Sequence, residues 1–141
     1  MKIKIKKLHK DAIIPTYAKH GDAGMDLTSI SGPLQTERYT EYDTGLSMEI
    51  PEGYVGLLFP RSSVSKTNLV LANCVGVVDS GYRGPVKLRF KELSGPPGGR
   101  YKQGDRVGQI IIMPVPNFEF EEVKDLSDTS RGDGGFGSTG S

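Results

Sequence analysis

Tryptophan is absent from this 141-residue chain, and cysteine occurs once. A single thiol excludes an intrachain disulfide and fits a reducing compartment. Cys74, inside Leu71-Ala72-Asn73-Cys74-Val75, reads as a small buried hydrophobe. Histidine is nearly missing as well. His9 and His20 have no Cys or acidic partner at ligand spacing, which excludes a zinc centre built on them. Long apolar runs are lacking: the N-terminus alternates Lys with Ile, so neither a signal peptide nor a membrane span is expected, and the cytoplasm is the expected compartment. Charge of one sign is not in excess either. A formal net charge of +1 leaves no global field to draw nucleic acid or a membrane. Any anion has to be held by local groups. No Gly-x-Ser-x-Gly nucleophile elbow occurs.

Helical periodicity is missing too, and period-two alternation takes its place. Met1 to Lys6 alternates Ile3 and Ile5 with lysines, which predicts a strand with one wet face. Leu46, Met48 and Ile50 alternate likewise and stop at the turn Pro51-Glu52-Gly53. A strand is predicted from Tyr54 to Phe59, ended by Pro60, with a helical turn or two following from Ser62 to Thr67. Val75 to Val78 and Val86, Leu88, Phe90 flank a turn-rich stretch and predict a hairpin. Val107 to Met113 is a continuous apolar run suited to a buried strand, and Phe118 and Phe120 alternate with Glu119 and Glu121. Short strands between Gly and Pro turns (Gly 19, Pro 9) predict an all-β fold, a barrel or jelly roll. The chain divides into a β-barrel domain over 1–126 and a tail over 127–141, whose Ser, Gly, Thr and Asp content predicts mobility.

Two motifs fall away on inspection. Residues 135–140 spell Gly-x-Gly-x-x-Gly, but no helix can follow to present its N-terminus to a dinucleotide. Arg131-Gly132-Asp133 spells an adhesion tripeptide, which has no role in a cytoplasmic chain. What remains is a set of polar clusters at strand ends. Asp26 sits in a Gly-containing turn. Arg61, Ser62 and Ser63 gather a guanidinium, two hydroxyls and free N–H groups suited to phosphate. Asp79 and Tyr82 lie in the expected hairpin. Gly104-Asp105-Arg106 leads into a strand carrying Gln109. The tail carries Arg131, Phe136, Ser138 and Thr139, which suit an anion and a stacking surface.

In this order the clusters are specific, and the chain resembles the trimeric dUTP pyrophosphatase family over essentially its whole length. Five motifs carry the resemblance: Ala-Gly-Met-Asp-Leu at 23–27, Pro-Arg-Ser-Ser at 60–63, Gly-Val-Val-Asp-Ser-Gly-Tyr-Arg-Gly at 76–84, Gly-Asp-Arg-Val-Gly-Gln at 104–109 and Arg-Gly-Asp-Gly-Gly-Phe-Gly-Ser-Thr-Gly at 131–140. Departures are small: Gly81 where an acidic residue is frequent, Gly108 where Ala is frequent, and Ser63 for a frequent Gly.

The resemblance implies a jelly-roll protomer in a homotrimer, with sites at subunit boundaries and the tail closing over a neighbouring site. It implies hydrolysis of dUTP to dUMP and pyrophosphate, which keeps uracil out of DNA and supplies dUMP for thymidylate synthesis. Asp79 would be the general base for the water attacking the α-phosphorus. Arg61, Ser62, Ser63, Gln109 and Arg131 would hold the triphosphate, with Gly137 and Ser138 closing over it. Asn73 and the backbone of Gly76, Val77 and Val78 through to Lys87 would read the uracil edge. Tyr82 would exclude a ribose hydroxyl, and Phe136 would stack on the base. Mg²⁺ chelated by the phosphates is the implied cofactor, with Asp26 acting on it through water. The nearest rival is a dCTP deaminase, which shares the fold and an Arg-Ser-Ser segment; the hairpin and the Gly-rich tail favour hydrolysis. A partner-binding protein on the same fold is a rival of another class, and a nucleic-acid binder lacks its basic patch.

Overall fold

A computed structural model describes residues 1–95 and 98–138. Among these residues there are ten strands, which the alternation favours because one face of each can be buried while the other meets water. They run β1 Lys4–Lys7, β2 Met25–Thr28, β3 Leu34–Gln35, β4 Thr40–Asp43, β5 Leu46–Glu49, β6 Tyr54–Phe59, β7 Leu69–Leu71, β8 Gly76–Val78, β9 Lys87–Glu92 and β10 Arg106–Pro114. A 3₁₀ turn, Ser62–Lys66, stands between β6 and β7. Two four-stranded antiparallel sheets, β2-β10-β6-β8 and β3-β4-β9-β7, and the two-stranded β1-β5 form the jelly roll.

The sheets share one core. Leu27, Leu58, Val78, Val107 and Ile110 enter it from one sheet; Tyr42, Leu69, Leu71, Leu88 and Phe90 enter from the other. Tyr42 stands edge-on to both Phe90 and Tyr101, and its hydroxyl donates to the Tyr101 carbonyl at 3.3 Å, so the buried phenol is paired. Corners between sheets are made by special residues. Gly53 takes φ +80 in the predicted turn at Pro51, and Tyr54 N–H closes it on the Pro51 carbonyl.

Four expectations change. Gly76–Val78 and Lys87–Glu92 do not form a hairpin: β8 pairs with β6, whereas β9 pairs with β4 and β7 in the opposite sheet. Pro85 has no N–H for a ladder, and Val86 bonds instead to Thr44 and Leu46, so the link from Asp79 to Val86 crosses the sandwich. Cys74 is exposed, because Asn73 and Cys74 make the turn between β7 and β8, with Cys74 at φ +62. The apolar run in β10 is buried on its inner face at Val107 and Ile110, while Met113 is exposed. No strand forms at Phe118 and Phe120, which are 81% and 99% exposed. Among the described residues their alternation finds no strand to pair with.

Candidate active site

The first motif lies on β2, the second just beyond the end of β6, and the fourth on β10 between them, so three distant segments meet at one end of one sheet. Gln109 stands opposite Asp26 on one side and Phe59 on the other. Its Nε2 donates to the Pro60 carbonyl at 3.1 Å. Gly24 makes room for it: a Cβ there would collide with Gln109 Oε1. Arg61 Nε donates to Asp26 Oδ1 at 2.8 Å, and Arg106 Nη1 donates to Asp26 Oδ2 at 3.1 Å. One carboxylate holds two guanidiniums, and with Asp22 also on the wall the formal charges balance, so what the cluster offers an anion is its free guanidinium N–H groups. Together with Ser62, Ala23 and Asp22 these residues line a cleft of about 350 Å³, open to water and suited to an anion. Ser63 is not part of it; its hydroxyl lies 3.5 Å from the Tyr101 hydroxyl. Arg106 was not singled out by sequence reasoning, because nothing in Gly-Asp-Arg tells which way the arginine faces.

The third motif gathers elsewhere. Leu58, Asn73, Gly76, Tyr82, Lys87 and Arg89 line a second cleft of about 570 Å³, where the sandwich opens between β8 and β9. Among the described residues β8 pairs with β6 alone, so Gly76–Val78 presents unpaired backbone groups along its other edge. Tyr82 folds over Gly84, where a Cβ would meet the ring, and its hydroxyl donates to the Pro85 carbonyl at 2.9 Å. Asp79 is exposed, its carbonyl accepts from Tyr82 N–H, and its carboxylate has no partner among the described residues.

Behind this cleft lies a buried carboxylate that the sequence did not announce. Glu41, with its side chain 6% exposed, accepts from Lys87 Nζ at 3.0 Å and from Arg89 Nε at 2.7 Å. Burial pushes the Glu41 carboxyl up, but the hydrogen bonds from Arg89 and Lys87 outweigh it and hold it below the usual carboxylate range. The same contact with Glu41 pushes Lys87 up.

The two clefts are separate on one chain. Val78 stands opposite Gly56, which places Asp79 beside the start of β6, whereas the arginine cluster lies past its end. Five strand steps separate these ends, roughly 17 Å, and the one to two strand spacings from β8 to Arg61 and Arg106 add roughly 5 to 10 Å across the sheet. Residues 127–138 of the tail join neither cleft by a hydrogen bond: every one described for them stays within that segment, including Arg131 Nε to the Gly134 carbonyl and Ser138 N–H to the Gly135 carbonyl. Phe136 is exposed and takes φ +51, beside Gly137 at φ +83. Thr139 and Gly140 of the last motif lie outside the described residues. Among the described residues no group of three His, Cys, Asp or Glu side chains gathers for a metal, and no helix is long and apolar enough to cross a membrane.

Comparison with known proteins places the chain in a family. The dUTPase family model matches residues 10–140. A deoxyuridine 5'-triphosphate nucleotidohydrolase of Rhodococcus erythropolis is 39% identical over 142 residues, covering 99% of this chain and 87% of its own length. One from Clostridium kluyveri is 37% identical, with 99% of each chain covered. Among solved structures, the dUTPase of Staphylococcus bacteriophage 80alpha with dUpNHpp superposes with a TM-score of 0.81 at 30% identity, covering 99% of both chains. A mutant dUTPase of the S. aureus phage phi11, described as coordinating a structural Mg(II) ion, gives 0.73 at 26% identity, covering 89% of this chain and 99% of its own.

Proposed function

This chain belongs to the dUTPase family and hydrolyses dUTP to dUMP and pyrophosphate, and we propose that it does so in sites assembled from different copies of the chain in a homotrimer. The observation that carries the proposal is the separation, on one chain, of Asp79 from the arginine cluster. The Arg61–Asp26–Arg106 cluster lies past the end of β6, and the unpaired carboxylate of Asp79 lies beside its start. The exposed apolar arm, with Phe118, Phe120 and Leu126, supports association for an independent reason: an isolated chain would leave that surface in water.

In this reading the uracil edge meets Asn73 and the open edge of β8, whose fixed pattern of N–H and C=O groups suits uracil. Cytosine reverses donor and acceptor there and leaves buried groups unpaired. Tyr82 lines the sugar position. Arg61, Ser62 and Gln109 of a second copy hold the triphosphate. Asp79 takes a proton from water as its oxygen bonds to the α-phosphorus, and the bond to the bridging oxygen breaks to release pyrophosphate. Arg131, Phe136, Gly137 and Ser138 of a tail close over the nucleotide.

The acidic groups fit a phosphate-chelated Mg²⁺ and not a protein cage: Asp26 and Asp22 line the cleft, and Mg²⁺ typically takes one or two carboxylates beside phosphates and waters. Held beside Asp26 and Asp22, such an ion would supply positive charge against the triphosphate and the departing pyrophosphate. Pyrophosphate release measured across dUTP, dTTP, dCTP and UTP tests the function. Turnover confined to dUTP is expected; equal turnover of dCTP, or ammonia release from it, would overturn the base assignment.

A further inference from the structure

The pairing of β10 with β2 slips by one residue. Gln109 stands opposite Asp26 and Gly108 opposite Leu27, but Arg106 stands opposite Thr28, so Val107 is an extra residue forming a β-bulge. In a regular pleat Arg106 would share the face of Gly108 and Ile110. That face is the core: Ile110 is fully buried, and a Cβ on Gly108 would collide with Leu88. The bulge sends Val107 into the core instead and turns Arg106 outward, onto the side of Gln109 and Asp26.

There Arg106 takes Oδ2 of Asp26, while Arg61 holds Oδ1 through Nε alone. Held by Nε, the Arg61 guanidinium keeps both terminal nitrogens for a ligand. An arginine and a carboxylate left to themselves favour the two-bond fork, which would use one of those nitrogens. We infer that Arg106 is a positioning residue: by occupying Asp26 Oδ2 it prevents that fork and keeps Arg61 presented to phosphate. The inference rests on the reading that this cleft takes the triphosphate of dUTP.

The test is calorimetric titration of the full chain with dUpNHpp, in Mg²⁺ and separately in EDTA, for the wild type, Arg106→Gln, Arg61→Gln and the double variant. The Arg106 side chain is 56% exposed, so the fold should survive, and unchanged melting verifies this. Arg106→Gln should weaken binding roughly tenfold in both media, the scale of one charge-assisted hydrogen bond. The double variant should bind no more weakly than Arg61→Gln alone, because Arg106 acts only through Arg61. Arg106→Lys, which keeps a donor for Oδ2, should recover part of the loss. Additive losses would assign Arg106 a phosphate contact of its own and overturn the inference. A loss confined to Mg²⁺ would overturn it in favour of Asp26 acting through the ion, and undiminished binding would overturn it outright. Weakened binding of 2'-deoxyuridine, which carries no phosphate, would do the same. The wild-type titration reports on the triphosphate reading separately from the cycle.

Discussion

Combining an Arg61→Gln chain with an Asp79→Asn chain should restore activity that neither has alone. Each variant removes one half of the site, and each should lose at least about a hundredfold in turnover, the usual scale for a general base or a charged clamp. On one chain these residues lie at opposite ends of β6, about 17 Å apart along it, so a site that uses both must draw them from two copies. In a cyclic trimer, site by site, one chain supplies Arg61 and the next supplies Asp79. A trimer of two base-dead chains and one arginine-dead chain then holds one boundary where both residues are intact. So does the converse trimer. Random assembly at equal ratio makes about three quarters of the trimers mixed, and one site in three works in each, so roughly a quarter of wild-type activity returns. The chains must be co-expressed with distinct tags, the mixed trimers verified by mass, and pyrophosphate release measured. Verified mixed trimers that stay inactive would refute the separation as the basis of the site.

Three other outcomes follow from the geometry. Gly24→Ala should displace the Gln109 side chain from the Pro60 carbonyl, lowering stability by about 1 kcal/mol and raising KM for dUTP with little change in kcat; an unchanged KM would count against Gln109 as a phosphate ligand. Glu41→Gln should cost about 2 kcal/mol, less than for a fully buried pair because Lys87 keeps Asp43 at 3.5 Å. Since the Glu41 pKa is depressed, its contribution is present above the unfolded value near pH 4.3 and is lost as pH falls through the folded value; since Lys87 is raised, its share is present below about pH 10.4 and is lost as pH rises further. Melting curves of both proteins should therefore converge in acid, and a constant gap at all pH values would rule this out. Tyr82→Ala should narrow the ratio of kcat/KM for dUTP over UTP even as both fall, and a fixed ratio would place sugar selection elsewhere.

Much of this architecture is readable in the residues. Tyr54–Phe59 is a short apolar run between the Pro51-Glu52-Gly53 turn and Pro60, so the strand, its end and the 3₁₀ turn beyond it follow from local chemistry. Sheet membership is different. Val78 and Phe90 are equally apolar and point into the same core, and only long-range packing decides that they approach it from opposite sides. The motifs identified Asp26, Arg61 and Gln109 as one chemical group, and β10, paired on both flanks, explains why they meet. Arg106 was not legible, because its direction depends on a one-residue slip against β2 that leaves no mark in composition. Glu41 was hidden for a related reason: its partners are two strand residues whose pairing register is a property of the fold.

The turn between β7 and β8 has a practical consequence. It holds the chain's single thiol in the open at Cys74, one residue from Asn73 on the wall of the larger cleft. A maleimide fluorophore would attach there without any engineered cysteine, and with no second thiol to compete for it. Dye at that position would sense filling of the cleft through its changed polarity and freedom of rotation. Nucleotide arrival and departure would then be visible as light in real time, on the unaltered sequence.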